Sequence, residues 1–249
     1  MEMVFAQKCD VGLKREINQD SVLCCADPIY DMYLYVVADG MGGHTDGEKA
    51  SGEITSALKR WWDDFGAADY HDDFRRILAE LQNCIYDANV SIFQKYNQNT
   101  ICGSTCIVLL IYKGNFAVFN AGDSHIYRKR GFKFETLTID DTWENQALIR
   151  DRYTKEQIER HPHFGKLVNA IGTGPEAKIS VKSDVLADKD TFLLCSDGLY
   201  KYCSEKKIKK IMSKFSGKNS QNCVDELFEE VVKNGAGDNV SIILAKYYE

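Results

Sequence analysis

The chain is poor in several features that mark particular classes of protein. It has only 3 prolines among 249 residues, and every apolar run is shorter than the roughly 18 residues of a membrane-spanning helix. The opening residues, MEMVFAQKCD, lack the basic-then-apolar pattern of a signal peptide. These absences predict a folded protein that is neither embedded in a membrane nor secreted.

A strongly basic face, which nucleic-acid-binding proteins normally carry, is also missing. The 37 acidic residues outnumber the 31 basic ones, which gives a net charge of −6, and neither sign forms a long block. This balance argues against a nucleic-acid partner. It leaves room for a local basic groove that binds a phosphorylated partner.

The cysteines show neither a disulfide framework nor a zinc motif. There are nine of them, an odd number, and no two form CxxC; the pair Cys102 and Cys106 has no matching histidine pair. Most stand inside apolar strand or helix patterns, as small buried hydrophobic residues do. Free thiols in this number are typical of a reducing compartment, so we expect a cytoplasmic protein.

Hydrophobic periodicity divides the chain into strands and helices whose order is not βαβ. Strands are predicted at 4–8, 21–26, 33–38, 104–112, 116–121, 124–129, 132–137, 178–185, 191–195 and 240–247. Helices are predicted at 46–65, 70–96, 204–214 and 220–234. With no repeat or linker visible, the pattern predicts one α+β domain over 1–249, in which helices cover the outer faces of antiparallel sheets.

Residues 140–173 form a long polar excursion with short helical patches at 143–150 and 155–161. An excursion of this length inside a compact domain usually has a function. Its pair of histidines, His161 and His163, is interpreted as part of the loop and not as a metal site.

Acidic residues stand at strand ends beside glycine or asparagine in several places. They are Asp20, Asp39, Asp123, Asp197 and Asp238. The clearest case is YLYVVADGMGGH, 33–44, where an apolar strand runs into Asp39 and a glycine-rich loop follows. If these strands share a sheet system, the carboxylates converge, and like charges so close need compensation. Oxygen ligands alone select Mg²⁺ or Mn²⁺ over zinc.

Six short segments contain glycine, acidic or small polar residues: RxxNQD (15–20), DGMGGH (39–44), GST (103–105), AGDS (121–124), SDGL (196–199) and GDN (237–239). In sequence and in order, these segments resemble those of the metal-dependent protein Ser/Thr phosphatases of the 2C type. The DGMGGH form resembles the bacterial branch. The resemblance implies a four-layer α/β/β/α sandwich of two antiparallel sheets flanked by helices, with a flap near 140–173.

The resemblance also implies roles for individual residues. Asp39 matches the acid that bridges two metal ions, and the carbonyl of Gly40 completes the second site. Asp197 and Asp238 match ligands of the first metal. Asp20 matches the acid that orients metal-bound water. The reaction implied is attack on phosphorus by a metal-bridged hydroxide, with Mg²⁺ or Mn²⁺ as cofactor.

Two further roles concern the substrate and a weaker metal. Arg15 matches the arginine that clamps the substrate phosphate, where its planar guanidinium can donate two hydrogen bonds. Asp123, together with Asp197, matches the pair that can hold a third metal ion. The implied substrates are phosphoproteins, including those of a Ser/Thr kinase and the kinase itself, and we expect a monomer.

Several positions depart from the family pattern. Met41 stands where animal-type members have a histidine and cannot donate a proton, so His44 or a metal-bound water would serve as the general acid. The alternative for His44 is a histidine that only stabilises the loop. Gln19 stands where many members have a metal-facing glutamate. His125 replaces the arginine that usually follows Gly-Asp-Ser. Cys195 is interpreted as a core residue and not as a nucleophile, because SDGLYKY offers no loop of amides ending in arginine.

The sequence leaves two alternative functions open. One is a pseudophosphatase that only binds phosphorylated partners, which the loss of two or more metal acids would favour; none is missing here. The other is a phosphoester hydrolase for small molecules or nucleotides. No stretch of the chain reads as a base- or ribose-binding site.

Overall fold

A computed structural model describes residues 2–42, 46–65, 73–97, 101–150 and 153–249, the side chains of 147–150 excepted. Its strands are β1 (Glu2–Asp10), β2 (Asp20–Asp27), β3 (Met32–Met41), β4 (Gly103–Ser104), β5 (Cys106–Tyr112), β6 (Asn115–Ala121), β7 (His125–Arg130), β8 (Lys133–Thr136), β9 (Ser180–Val185), β10 (Thr191–Cys195) and β11 (Val240–Tyr248). Its helices are α1 (Gly47–Phe65), α2 (Phe74–Tyr96), α3 (Trp143–Arg150), α4 (Lys155–Glu159), α5 (Asp197–Tyr200), α6 (Glu205–Lys214) and α7 (Ser220–Lys233).

The strands form two antiparallel sheets. One has the order β1-β11-β10-β7-β8, and the other has the order β2-β3-β5-β6-β9, with the short β4 paired to the end of β3. The expected α+β class with two antiparallel sheets is therefore confirmed.

Three apolar clusters hold four layers together. The first packs α1 and α2 on the outer face of the β2–β9 sheet, and the second packs α5, α6 and α7 on the outer face of the other sheet. The third lies between the sheets. Strand β3 shows how one segment serves two layers: Leu34 and Val36 face the helices, whereas Tyr33, Tyr35 and Val37 face the opposite sheet. Because both faces of the strand are buried, β3 is apolar from Met32 to Ala38.

Most predicted elements occur within two residues of their expected ends, and the differences have physical reasons. β1 is longer than the predicted 4–8 because all nine of its residues pair with β11. The predicted strand 104–112 is interrupted at Thr105, whose backbone N–H donates to the carbonyl of Asp39. The first residues predicted for the second helix, 70–72, lie outside the described residues. No helix in the described ranges is long and apolar enough to cross a bilayer.

The excursion at 140–173 folds back beside the sheets. A bridge joins Thr142 to Leu167, and another joins Ser104 to Ile171. His161 lies on the loop after α4, and its ring stacks on Trp143 with the centroids 3.8 Å apart. This placement agrees with the interpretation of His161 and His163 as loop residues.

Candidate functional site

Strand ends from both sheets open into one cleft of about 520 Å³. Four of the predicted acids line it, together with the predicted phosphate ligand: Asp39, Asp123, Asp197, Asp238 and Arg15. The fifth acid, Asp20, is buried at the first position of β2. The fold thus brings together acids that are up to 218 positions apart in the sequence (238 − 20).

Asp20 and Asp39 lie on neighbouring strands, and Asp39 is the one of the two that lines the cleft. They face each other in the register of β2 and β3. The Oδ2 atom of Asp20 accepts a hydrogen bond of 2.7 Å from the hydroxyl of Ser196, and its Oδ1 atom is buried without a hydrogen-bond partner. Like charges at facing strand positions repel each other, so this pair is costly unless a proton or a cation lies between the two groups.

The backbone of Asp39 is fixed by Thr105. The Asp39 N–H donates to the Thr105 hydroxyl at 3.0 Å, and the Thr105 N–H donates to the Asp39 carbonyl at 2.9 Å. The same hydroxyl lies 2.7 Å from that of Ser124, which follows Asp123. Thr105 therefore ties the loop of Asp123 to the end of β3.

Cations of the chain itself hold two of the other acids. Arg15 donates to both carboxylate oxygens of Asp238, with Nε 2.9 Å from Oδ1 and Nη2 3.0 Å from Oδ2. The ammonium of Lys201 is hydrogen-bonded to Oδ2 of Asp197. The predicted phosphate ligand thus pairs with a predicted metal ligand.

Burial and mutual repulsion change the protonation of these acids. Burial, opposed by the Ser196 hydrogen bond, raises the pKa of Asp20 to about 6. Burial and then the charge of Asp197 raise the pKa of Asp123 to about 6. The pKa of Asp39 lies well above its ordinary range, first because of burial and then because of Asp20 and three further carboxylates. A site of this kind favours any group that brings positive charge.

Asn239 fastens the N-terminal loop to β11. Its side-chain oxygen accepts from the N–H of Gln19 at 2.9 Å, and its amide nitrogen donates to the carbonyls of Val11 and Ile17, each at 3.0 Å. This loop carries Arg15. Asn239 thereby fixes the loop on which the guanidinium stands.

Gly40 lies where β3 touches the start of α1. A Cβ on Gly40 would stand 2.2 Å from the carbonyl oxygen of Gly47 and 2.5 Å from that of Gln19. The side chain of Gln19 packs against Gly47, where a Cβ would lie 2.9 Å from its amide group. Close backbone approach at this point requires glycine.

The predicted flap lies beside the cleft, and Gly165, Lys166 and Leu167 line it. Its first residue, Asp140, contacts His125: the Oδ1 atom of Asp140 lies 2.9 Å from the Nε2 atom of His125. The His125 ring stacks on Tyr200, whose hydroxyl donates to the carbonyl of Asp123 at 3.0 Å. The unusual His125 therefore connects the flap to the loop of Asp123.

The remaining predicted residues have mixed outcomes. His44 lies outside the described residues, so its place relative to the cleft stays a prediction. Cys195 is fully buried, and burial raises the pKa of its thiol well above the ordinary value, as a core residue requires. Lys201 and Asn239 were not predicted as site residues. Lys201 lies four positions after Asp197, a spacing that brings two side chains together on a helix. The spacing could have predicted this ion pair only if α5 had first been predicted as a helix.

The donor set fits hard divalent cations. It consists of carboxylate and carbonyl oxygens, which such cations prefer. Several of the carboxylates are buried close to one another, so their negative charges need compensation, and the Oδ1 atom of Asp20 has no hydrogen-bond partner. In the described part of the chain, no three His, Cys, Asp or Glu side chains are already grouped as ligands of one ion. Asp197 and Asp238 are instead paired with Lys201 and Arg15, respectively.

Comparison with protein families and curated relatives agrees with this geometry. The family described as Protein phosphatase 2C matches residues 14–239. A protein named Serine/threonine protein phosphatase PstP, from Mycobacterium tuberculosis, is 29% identical over 97% of this chain and 44% of its own length. The chain therefore spans less than half of that relative. Protein phosphatase PhpP from Streptococcus pneumoniae is 29% identical over 96% of both chains.

Solved structures share the whole fold. The catalytic domain of serine threonine protein phosphatase PstP, in complex with 2 manganese ions, superposes with a TM-score of 0.80 at 27% identity and covers 99% of each chain. The agreement therefore includes both sheets and their flanking helices.

Proposed function

The chain belongs to the protein phosphatase 2C family, and on this basis we propose that it is a metal-dependent protein Ser/Thr phosphatase. The observation that carries the proposal is the convergence of Asp20, Asp39, Asp123, Asp197 and Asp238 on one cleft that also holds Arg15. The names of the relatives support the substrate class, and the manganese-bound neighbour supports the cofactor. The reaction is the hydrolysis of phosphoserine and phosphothreonine.

Two Mg²⁺ or Mn²⁺ ions would be held by the acids of the cleft. Asp39, Gly40, Asp197 and Asp238 line this cleft, and the buried Asp20 faces Asp39 in the register of β2 and β3. Asp123 and Asp197 would hold a third, weaker ion. Such ions, when bound, acidify water and neutralise the charge of a phosphoryl group.

Arg15 would bind the substrate phosphate. Its guanidinium already makes a two-pronged pair with a carboxylate, Asp238, and a phosphate accepts the same fork of N–H donors. The side chain is half-exposed at the rim of the cleft, where an incoming phosphoryl group arrives first. Exchange of Asp238 for phosphate would free that carboxylate for a metal ion.

The leaving serine or threonine oxygen needs a proton. Met41 lines the cleft but has no proton to give. We propose that either His44, three residues further along the sequence, or a water molecule donates this proton.

The cellular setting follows from the same proposal. The substrates would be phosphorylated proteins, including those of a Ser/Thr kinase that the enzyme opposes. The nine cysteines, all within the described residues, form no disulfide, which supports a reducing, cytoplasmic location. We further propose that the enzyme acts as a monomer, without nucleic-acid or membrane partners.

The decisive experiment is hydrolysis of phosphothreonine peptides by purified protein with millimolar Mn²⁺, with EDTA, and with the Asp39→Asn variant. We expect turnover only in the first case, and loss of at least about 1000-fold in the variant, because it removes the central carboxylate. Turnover that survives EDTA would overturn the proposal. Tight phosphopeptide binding without turnover would instead identify a pseudophosphatase, and activity confined to small phosphoesters would identify the other alternative.

A further inference from the structure

Lys201 places a permanent positive charge inside the carboxylate cleft. Its ammonium is hydrogen-bonded to Asp197, and its side chain lines the same cleft as Asp39, Asp123 and Asp238. The side chain of Asp197 is 16% exposed, whereas that of Lys201 is 53% exposed. The ammonium therefore covers the carboxylate from the solvent side.

The position of this ammonium is set by a well-fixed turn. Lys201 follows α5, and its backbone N–H donates to the carbonyl of Asp197 at 3.0 Å. Within α5, Leu199 is fully buried, and a Cβ on Gly198 would lie 1.8 Å from the carbonyl oxygen of Asn239. Tyr200 is anchored to the Asp123 carbonyl. These contacts hold the backbone of Lys201 one helical turn from Asp197, so the ammonium stays within reach of this carboxylate.

We propose that Lys201 is an internal counter-cation that competes with divalent cations for Asp197 and so sets the cation concentration that the protein requires. The inference rests on the proposed function. An ammonium on one oxygen of Asp197 makes that oxygen less available to a metal ion, and its charge repels a second cation as long as it stays. In the absence of metal, the same charge offsets the repulsion among the acids.

The test is calorimetric titration of MnCl₂ into EDTA-stripped, dialysed protein at constant ionic strength. Lys201→Met keeps the apolar stem and removes the charge, and we expect it to bind Mn²⁺ about tenfold more tightly than the wild type. Lys201→Arg keeps the charge and should stay near the wild type. Lys206→Met is the matched control, because it makes the same change in net charge on the exposed face of α6, away from the cleft.

A second measurement needs no bound metal. Without Mn²⁺, Lys201→Met should unfold about 2–4 °C below the wild type, since the acids lose their counter-charge. Saturating Mn²⁺ should raise its unfolding temperature by more than it raises that of the wild type. Lys206→Met should show neither effect.

The outcomes separate the inference from the proposed function. Mn²⁺ binding by Lys201→Met that equals that of Lys206→Met, or is weaker, would overturn the role of Lys201 while leaving the two-metal site standing. A wild-type protein that binds no Mn²⁺ would overturn both.

Discussion

Asp20 and Asp39 occupy facing positions on two neighbouring antiparallel strands, so a single pair of facing residues in the sheet carries two carboxyl groups. Backbone pairing holds these two residues together regardless of charge. The repulsion is therefore stored in the folded protein and is relieved by protons or by cations.

The first prediction concerns the pH dependence of stability without metal. Burial raises the pKa of Asp20 to about 6 from an ordinary value of 3.8, and it also raises the pKa of Asp39 well above the ordinary value. In the folded state both groups hold protons that the unfolded chain has already released. The stability that they contribute is thus present near pH 4 and is lost as the pH rises through about 6.

Urea unfolding of EDTA-treated protein between about pH 5 and pH 8 measures this loss. We expect the midpoint to fall with rising pH, and the fall to be smaller in Asp39→Asn, in which other titrating groups are unchanged. Saturating Mn²⁺ should abolish this difference in pH dependence between the wild type and the variant. A wild-type midpoint that rises in parallel with that of the variant would contradict the prediction.

The second prediction concerns Arg15. Arg15→Lys keeps the charge but loses the planar fork that contacts both oxygens of Asp238. We expect kcat/KM for a phosphothreonine peptide to fall about 10- to 100-fold, because a two-pronged phosphate contact becomes a single one. Steady-state kinetics at saturating Mn²⁺ measures the loss.

The neighbouring Lys14 provides the control, since it is exposed and does not line the cleft. Lys14→Ala should retain the wild-type kcat/KM within about twofold. Equal activity of Arg15→Lys and wild type would show that the guanidinium does not bind the phosphate.

The third prediction compares two glycines. A Cβ at Gly40 would stand 2.2 Å from the Gly47 carbonyl oxygen, whereas a Cβ at Gly52 would meet no atom within 4 Å. Gly40→Ala should lower the free energy of unfolding by about 3 kcal/mol or more, since backbone must shift. Gly52→Ala, inside α1, should raise it by about 0.5–1 kcal/mol. Denaturant unfolding at saturating Mn²⁺ distinguishes the two, and a stable Gly40→Ala protein would refute the close approach.

The pattern of the sequence predicted the elements and the convergence of acids, but not the partners of each acid. A strand end such as the one at Asp39 can be recognised in the sequence, because an apolar run stops at a carboxylate. The pairing of β1 with β11 and the short α5 depend on contacts between distant segments, which no local pattern contains.

The contacts that the sequence did not predict depend on the directions in which side chains point in the folded protein. Gln19 packs against Gly47, and Asn239 binds three backbone groups of the 11–19 loop; both depend on where β2 and β11 lie relative to each other. The same holds for Arg15, whose partner Asp238 is 223 positions away. The residue types predict the chemistry of these side chains, but their distances and partners follow only from how the two sheets are assembled.

The pairing of β1 with β11 also has a consequence for how the protein reaches its active form. The strand nearest the start of the chain has β11, the last strand in sequence order, as its neighbour in the sheet. Their pairing closes a long loop, so we expect the sheet that positions Asp197 and Asp238 to be completed only after that loop has closed. Partly folded chains would then hold an incomplete set of carboxylates, and the metal site proposed above would be complete only in the folded molecule.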